Sequence, residues 1–390
     1  MKKVLIAYTS IGSGHRVVAE AVRDALLRSG EMDVRMVDAF DVLGRWGKLM
    51  ADVASFLSLS LLPKVYDWTW NSPYLGQIFA RMPKSRRIEE NLLALYAQYQ
   101  PDVIVCTHAL PCAIYCRAKT RYALSTPVVA VSADWQVHAY WPLAQVDHIV
   151  VASQPARTRL LELGVTADRI SVAGVPIRSQ FAAHTNPNAR RRCGPRQVLV
   201  LAGGKQVAPY AITWPHIVSL IYRLAQTPHL DFDWTVVTGC NSLLERLLRR
   251  IAGECRSITV VGYTTQMAEL LNEADVVITK PGGSILAESL ALHKPIVLFN
   301  RGAGQEAANA DYVIEHEAAL LSANAADTLD IVVWMFANGR AARMAENAAA
   351  LARPLAAAQV AETIFDVLGE VSTALVATRS SAYSAEICFA

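Results

Sequence analysis

Short, fully apolar runs alternate along this chain with longer stretches in which apolar residues return every three to four positions. One series of runs holds Val4–Tyr8, Val34–Val37, Val103–Cys106, Val128–Val131, Ile149–Ala152 and Ile170–Ala173. A second holds Val198–Ala202, Trp234–Thr238, Ile258–Val261, Val276–Thr279 and Ile296–Phe299. Strands apolar on both faces belong to parallel sheets covered by helices. Strand then helix, repeated in two series, predicts an α/β protein of two Rossmann-like, doubly wound domains. Between the series lies AAHTNPNARRRCGPRQ, Ala182 to Gln197, which is polar, basic and broken by proline and glycine. That is a linker composition. The expected organisation is an N-terminal domain over 1–180, a linker over 181–196 and a C-terminal domain over 197–353. A helix over 354–370 is expected to pack back on the first domain, before a Ser- and Ala-rich tail over 371–390. Ligands of such sheets lie beyond the carboxyl ends of the strands, so the cleft between the two halves is the expected site.

Length and composition agree with this layout. At 390 residues the chain exceeds one ordinary core. A net charge of only +3 argues against a general nucleic-acid binder, so no nucleic-acid partner is expected. Cys106, Cys112 and Cys116 cluster, but at spacings that fit no common zinc pattern, and they read as buried thiols of a reducing cytoplasm. Lys2 and Lys3 precede a run too short for a signal peptide, which reads as the first strand. The greasiest stretch, Val53–Leu62, is broken by serines and stops at Pro63, well short of the ~20 residues a spanning helix needs.

Local charge is more telling. Over residues 45–87, Arg45, Lys48, Lys64, Arg81, Lys84, Arg86 and Arg87 outnumber Asp52 and Asp67, with Trp46, Tyr66, Trp68, Trp70, Tyr74 and Phe79 interleaved. Such a segment suits the surface of an anionic membrane. The plainer reading is an amphipathic helix pair packed on the sheet.

Candidate chemistry sits at glycine-rich strand ends. The first strand leads into Gly12-Ser13-Gly14-His15. It lacks the Lys-Thr pair of a Walker loop and the third glycine of a dinucleotide fingerprint. Gly14 permits close approach of a ligand. A neutral His15 can take a proton from an acceptor hydroxyl, or simply cap its helix. In LAGGKQVAP, Gly203 and Gly204 expose amides to a diphosphate, and Lys205 adds charge. In ITKPGGSILAESLALHKPIVLF, the turn Pro281-Gly282-Gly283-Ser284 opens a helix whose free amides suit a phosphate. Glu288, about a turn further on, can accept ribose hydroxyls, or stand as part of a plain crossover. The Gly262–Thr265 loop, with Tyr263, offers backbone amides to a flat base, and Gln305, Glu306 and Asn309 offer polar groups to a sugar.

Seven stretches in order then carry a resemblance: SIGSGHRVVAEAV, PDVIVCTHALP, VVAVSADWQVHAYW, GVPIRSQF, VLVLAGGKQ, ITKPGGSILAESLALHKPIVL and GQEAANADYV. The chain resembles the monogalactosyldiacylglycerol synthase and processive diacylglycerol glucosyltransferase group, and more distantly the N-acetylglucosamine transferase that makes lipid II. The likeness runs from Val4 to about Ala352. It implies a GT-B fold, a UDP-sugar donor in the C-terminal half and a diacylglycerol-type lipid acceptor against the N-terminal half. It also implies inversion at the anomeric carbon, no metal, no cofactor beyond the donor substrate, and a peripheral place on the inner face of the cell membrane. By the same resemblance His15 is the candidate base, with Asp134, acting directly or through His138, the other candidate, and Trp141 closing the acceptor stretch. Glu288 matches the ribose-binding glutamate, Gln305 and Glu306 the donor-sugar pair, and Gly203, Gly204 and Ser284 the diphosphate cradle. Arg178 ends the hinge motif and reaches toward the nucleotide. The chain departs from the group in its Gly-Ser-Gly turn and in Lys280-Pro-Gly-Gly-Ser-Ile. Those departures leave open other acceptors, such as a polyprenyl-linked sugar. A UDP-sugar 2-epimerase and a non-catalytic lipid-binding protein are the remaining readings.

Overall fold

The computed structural model of the chain describes residues 1–10, 14–41, 72, 86–138, 140–182, 194–203, 214–226 and 231–369. Among them, two six-stranded sheets are each parallel throughout. The first comprises β1 (Lys2–Tyr8), β2 (Met32–Asp38), β3 (Val103–Cys106), β4 (Val128–Val131), β5 (His148–Val151) and β6 (Ile170–Val172), in the order β2-β1-β3-β4-β5-β6. Its helices are α1 (Gly14–Leu27), α2 (Arg86–Tyr99), α3 (Ala109–Tyr122), α4 (Gln154–Glu162) and α5 (Ser179–Ala182). The second comprises β7 (Arg196–Leu201), β8 (Phe232–Val237), β9 (Ile258–Val261), β10 (Val276–Thr279), β11 (Ile296–Leu298) and β12 (Ala319–Leu321), in the order β12-β11-β10-β7-β8-β9. Its helices are α6 (Trp214–Gln226), α7 (Ser242–Ala252), α8 (Met267–Glu273), α9 (Gly283–Ala291) and α10 (Gln305–Glu315). They continue with α11 (Ala325–Ala337), α12 (Arg340–Leu351) and α13 (Ala356–Val367).

Every strand expected from the apolar runs is present, with ends moved by up to two residues. β2 starts early, at Met32, because Met32-Asp33-Val34-Arg35 alternates in polarity, as an edge strand with one wetter face does. β12 was not anticipated. It is a three-residue edge strand of alanine and leucine, residues as common in helices, so the run does not mark itself as a strand.

Both sheets carry a topological switch. The chain winds from β1 out to β2, then returns to place β3 on the other side of β1. It winds from β7 through β8 to β9, then returns to place β10 beside β7. Crevices at such points, outside the carboxyl ends of the strands, are where ligands bind in this architecture. His15 follows β1, Thr107 and His108 follow β3, Gly203 follows β7, and the Gly282–Ser284 turn follows β10.

One apolar cluster joins the lobes, running from Val4, Ile6 and Val18 to Leu199, Val277 and Leu286, and on to Val360 and Phe365 of α13. The last two helices therefore bridge the halves: α12 packs on α9 of the second, while α13 returns to pack on α1 and β5 of the first. The crossing between them passes over Gly174. A Cβ built on that residue would stand 2.5 Å from the Cβ of Arg353, and the backbone there is left-handed, φ 98°. Only glycine suits both demands.

Candidate active site

A cavity of about 320 Å³ opens between the lobes. Gly14, His15, Asp134 and Arg178 line it from the first lobe's side. Gly203, Tyr263, Gly282, Gly283, Ser284, Glu288, Gln305 and Glu306 line it from the second's. Two switch-point crevices have been brought face to face. At the join, a Cβ on Gly14 would sit 3.5 Å from Ser284 Oγ, so the first turns of α1 and α9 meet across the space.

Other expected residues lie elsewhere. Gly204, Lys205 and nearly all of 45–87 fall outside the described residues, as do Gly12 and Ser13. His138 is not on the cavity wall: its Nδ1 accepts a hydrogen bond from the Tyr140 amide at 3.2 Å, and its ring lies against those of Tyr140 and Trp141. Trp141 does not close the site either; it is 5% exposed, within the first lobe's outer core. Gly262 faces Glu245, whose carboxylate a Cβ would approach to 2.6 Å. Pro281 contributes its carbonyl to Asn309 Nδ2 at 3.2 Å rather than a surface to the cavity. Cys106, Cys112 and Cys116 are buried free thiols, and no cluster able to hold a metal ion is found among the described residues.

His15 presents an accepting nitrogen. Its Nδ1 lies 2.7 Å from the carbonyl oxygen of Thr107. A carbonyl only accepts, so Nδ1 carries the hydrogen and Nε2 keeps its lone pair. Burial lowers the pKa of His15, outweighing the charge of Asp134 and the Thr107 hydrogen bond, which both raise it. The imidazole is thus held neutral with its accepting nitrogen unused by Thr107. Beside it stands His108, ring centroids 4.6 Å apart and near perpendicular. His108 caps α3 by accepting from the Leu110 amide at 3.1 Å. Burial, with His15 and His138 adding to it, holds the pKa of His108 well below the usual imidazole range. Burial and His15 push His138 down to about 3.

Asp134 ties the lobes together. Its Oδ1 accepts from Asn309 Nδ2 at 2.8 Å, and Asn309 Oδ1 accepts from the Trp135 amide at 3.0 Å. Burial raises the pKa of Asp134, opposed first by His15. Next to this clamp the backbones touch: a Cβ on Gly283 would come within 2.0 Å of the Ala133 carbonyl oxygen.

The second lobe's wall is made of helix starts. Gly283 and Ser284 begin α9, Gln305 and Glu306 begin α10, and neither helix has a side-chain cap. Their first amides and dipoles therefore bear on the cavity, as an anion requires. Gly203 completes this wall because it passes against the Thr238 carbonyl, which a Cβ would meet at 2.2 Å. Gly203→Ala is expected to cost about 1–3 kcal/mol through this backbone clash, read as a lower melting temperature.

Among the described residues three cations line the cavity, each matched to a carboxylate: Arg16 to Glu20 at 2.7 Å, Arg178 to Glu288 at 2.9 Å, and Lys280 to Glu306. Burial pushes Glu288 up to about 7 against the pull of Arg178. Both Arg178 bonds end on Oε1, from Nη2 at 2.9 Å and Nε at 3.1 Å, so Oε2 faces no guanidinium. Arg16, Glu20, Lys280 and His108 were not anticipated. Lys280 had a usable signal, as the last residue before the glycine turn, and so did His108, two residues past the apolar run Val103–Cys106; its pairing with His15, 93 positions away, had none.

Two facing Rossmann-like lobes with a cleft of this construction define the GT-B class. Similarity to solved structures agrees on the fold. An S. aureus MnaA–UDP co-structure superposes with a TM-score of 0.63 at 12% identity, covering 95% of this chain and 98% of that one. Acinetobacter baumannii MurG superposes with a TM-score of 0.60 at 15% identity, covering 94% and 100%. Family models divide the chain at the same place as the lobes: monogalactosyldiacylglycerol (MGDG) synthase matches residues 15–177 and the glycosyltransferase family 28 C-terminal domain matches 215–363. The processive diacylglycerol beta-glucosyltransferase of Bacillus cereus (strain G9842) is 28% identical over 338 residues, 82% of this chain and 81% of the relative. That of Bacillus cytotoxicus is 27% identical over 384 residues, 93% of each. The protein is a glycosyltransferase related to the monogalactosyldiacylglycerol synthase and processive diacylglycerol glucosyltransferase group.

Proposed function

We propose that the protein transfers a hexose from a UDP-sugar to the hydroxyl of a diacylglycerol-type membrane lipid, with inversion and without a catalytic metal. The observation that carries this reading is His15 Nε2, an accepting nitrogen opposite two uncapped helix starts. His15 Nε2 takes the acceptor hydroxyl's proton as its oxygen bonds to the anomeric carbon. The bond from that carbon to the diphosphate breaks on the opposite side, and its electron pair leaves with UDP. The growing negative charge is met by the amides at the start of α9, Gly203 and the Lys280 ammonium, which are already in place. The buried Asp134 charge favours the imidazolium that forms, consistent with its effect on the His15 pKa. Lipid acceptors are named for the relatives in both Bacillus species. No described helix is long and apolar enough to cross a membrane. We assign the protein a peripheral place on the cytoplasmic face, with 45–87 as the contact on the first lobe.

Incubation with a panel of UDP-sugars and diacylglycerol, with products read by mass and anomeric configuration by NMR, tests the reading. A hexosyl-diacylglycerol of inverted configuration, formed equally in EDTA, is expected. Conversion of UDP-N-acetylglucosamine to its 2-epimer, with no lipid product, would replace it by the epimerase reading.

Glu288 makes a further test. We place a ribose hydroxyl on Oε2, where it favours the ionised carboxylate. Below about pH 7 the free protein holds this proton, and binding must expel it. Affinity for a UDP-sugar, whose diphosphate diester does not titrate here, should rise as pH increases through this range. Calorimetry in buffers of different ionisation enthalpy should detect the released proton, and Glu288→Gln should flatten the pH dependence and weaken binding.

A further inference from the structure

Helix α7 has two differently apolar faces. Leu244, Leu248 and Ala252 are buried in the second lobe's outer core. On the opposite side Leu243 is 58% exposed and Leu247 39% exposed. Arg246 and Arg250 are exposed beside them. At 3.6 residues per turn these four fall within an arc of about 100°. Arg249, just outside the arc, is paired with Glu245 at 2.9 Å. Arg246 bonds only along its own helix, to the Ser242 carbonyl at 3.3 Å. Among the described residues neither Arg246 nor Arg250 has an acidic partner. Two leucines held in water between two unneutralised guanidinium groups form a surface that is apolar and cationic together. Its position is also informative: Gly239, just ahead of α7, lines the cavity, as does Tyr263, on the loop that Glu245 of α7 touches through Gly262.

We propose that α7 is a membrane-contact surface of the second lobe. Leu243 and Leu247 enter the interfacial region of the bilayer, and Arg246 and Arg250 bind the phosphates of anionic lipid headgroups. The proposal rests on the reading that the acceptor is a membrane lipid. Charge selects this occupant over a second copy of the chain. A two-fold interface places one patch against its own image, and here that would set arginine against arginine. An anionic bilayer satisfies both components of the face, the leucines by burial and the arginines by attraction. With a contact on each lobe, the rim of the cleft would be held at the lipid surface from both sides.

The test uses the full chain and vesicles of phosphatidylcholine with or without phosphatidylglycerol. Arg246→Glu/Arg250→Glu should lower partition onto the anionic vesicles by about 10-fold or more, each basic residue near such a surface contributing on the order of tenfold or somewhat less. Arg343→Glu on α12 serves as a charge control and should have a smaller effect. In a background cleared of other reactive thiols, an environment-sensitive fluorophore on Leu247→Cys should shift to the blue on anionic vesicles and not on neutral ones. Unchanged partition of the double variant, or no shift at position 247, would overturn the proposal. So would concentration-dependent dimerisation through α7 with no lipid-induced shift, which would assign the face to a second copy. In detergent-solubilised diacylglycerol the double variant should keep its turnover, because neither arginine lies in the cavity. Loss of lipid glycosylation by the unaltered protein in that same assay would instead remove the functional reading.

Discussion

Replacing His15 by alanine is expected to cut turnover by roughly 10²- to 10⁴-fold, the range over which a positioned general base contributes. Affinity for the UDP-sugar should be unchanged, because the proposed function puts the donor mainly against the second lobe. Steady-state kinetics beside calorimetry separate the two quantities. The pH profile of the unaltered protein adds a sign. The base acts when neutral, and burial lowers its pKa from 6.5. The acid limb of kcat should therefore lie below pH 6.5, and activity should persist as pH falls through that value. A limb at or above 6.5 would place the essential base elsewhere, Asp134 being the nearest carboxylate.

Gly283→Ala is expected to have the second largest effect. The new methyl would stand 2.0 Å from the Ala133 carbonyl oxygen and 2.9 Å from Asp134 Oδ1. Ordinary contact needs well over an ångström more, and the obstacle is the backbone of the other lobe. The lobes must part, and His15 moves away from the second lobe's wall, where the proposed function puts the anomeric carbon. A displacement of about 1 Å costs on the order of 10² in rate, so kcat/KM should fall by about that much. The pair Asn309–Asp134 should loosen with it. X-ray scattering on both proteins would show the wider cleft, and a variant with wild-type kcat/KM would disprove lobe contact at this point as a requirement.

Much of this architecture is legible in the amino-acid order because the signals are local. Short, fully apolar runs such as Val103–Cys106, bounded by polar or glycine residues, suit strands buried on both faces, and glycine turns after several of them mark strand ends at the cleft. His15, Glu288, Gln305 and Glu306 could be picked out because each sits within a few residues of such a turn. What is not legible depends on contacts between distant positions. Thr107 orients His15 from 92 residues away, and Asn309 reaches Asp134 across 175. Neither spacing has a periodicity to betray it. His138 and Trp141 show the converse: a chemically suggestive local string, DWQVHAYW, whose histidine and last tryptophan pack into the first lobe instead of lining the cavity.

The crossing at Gly174 bears on how the cleft works. The chain leaves the first lobe just beyond this residue and comes back to it at Arg353–Ala356, and the two passages touch there. Two passages that touch at one place offer the lobes a common pivot there, separate from the contact of Gly283 with Ala133 at the cleft. On the proposed function, a nucleotide sugar would enter and UDP leave by a swing about that pivot, with the covalent chain itself as the hinge.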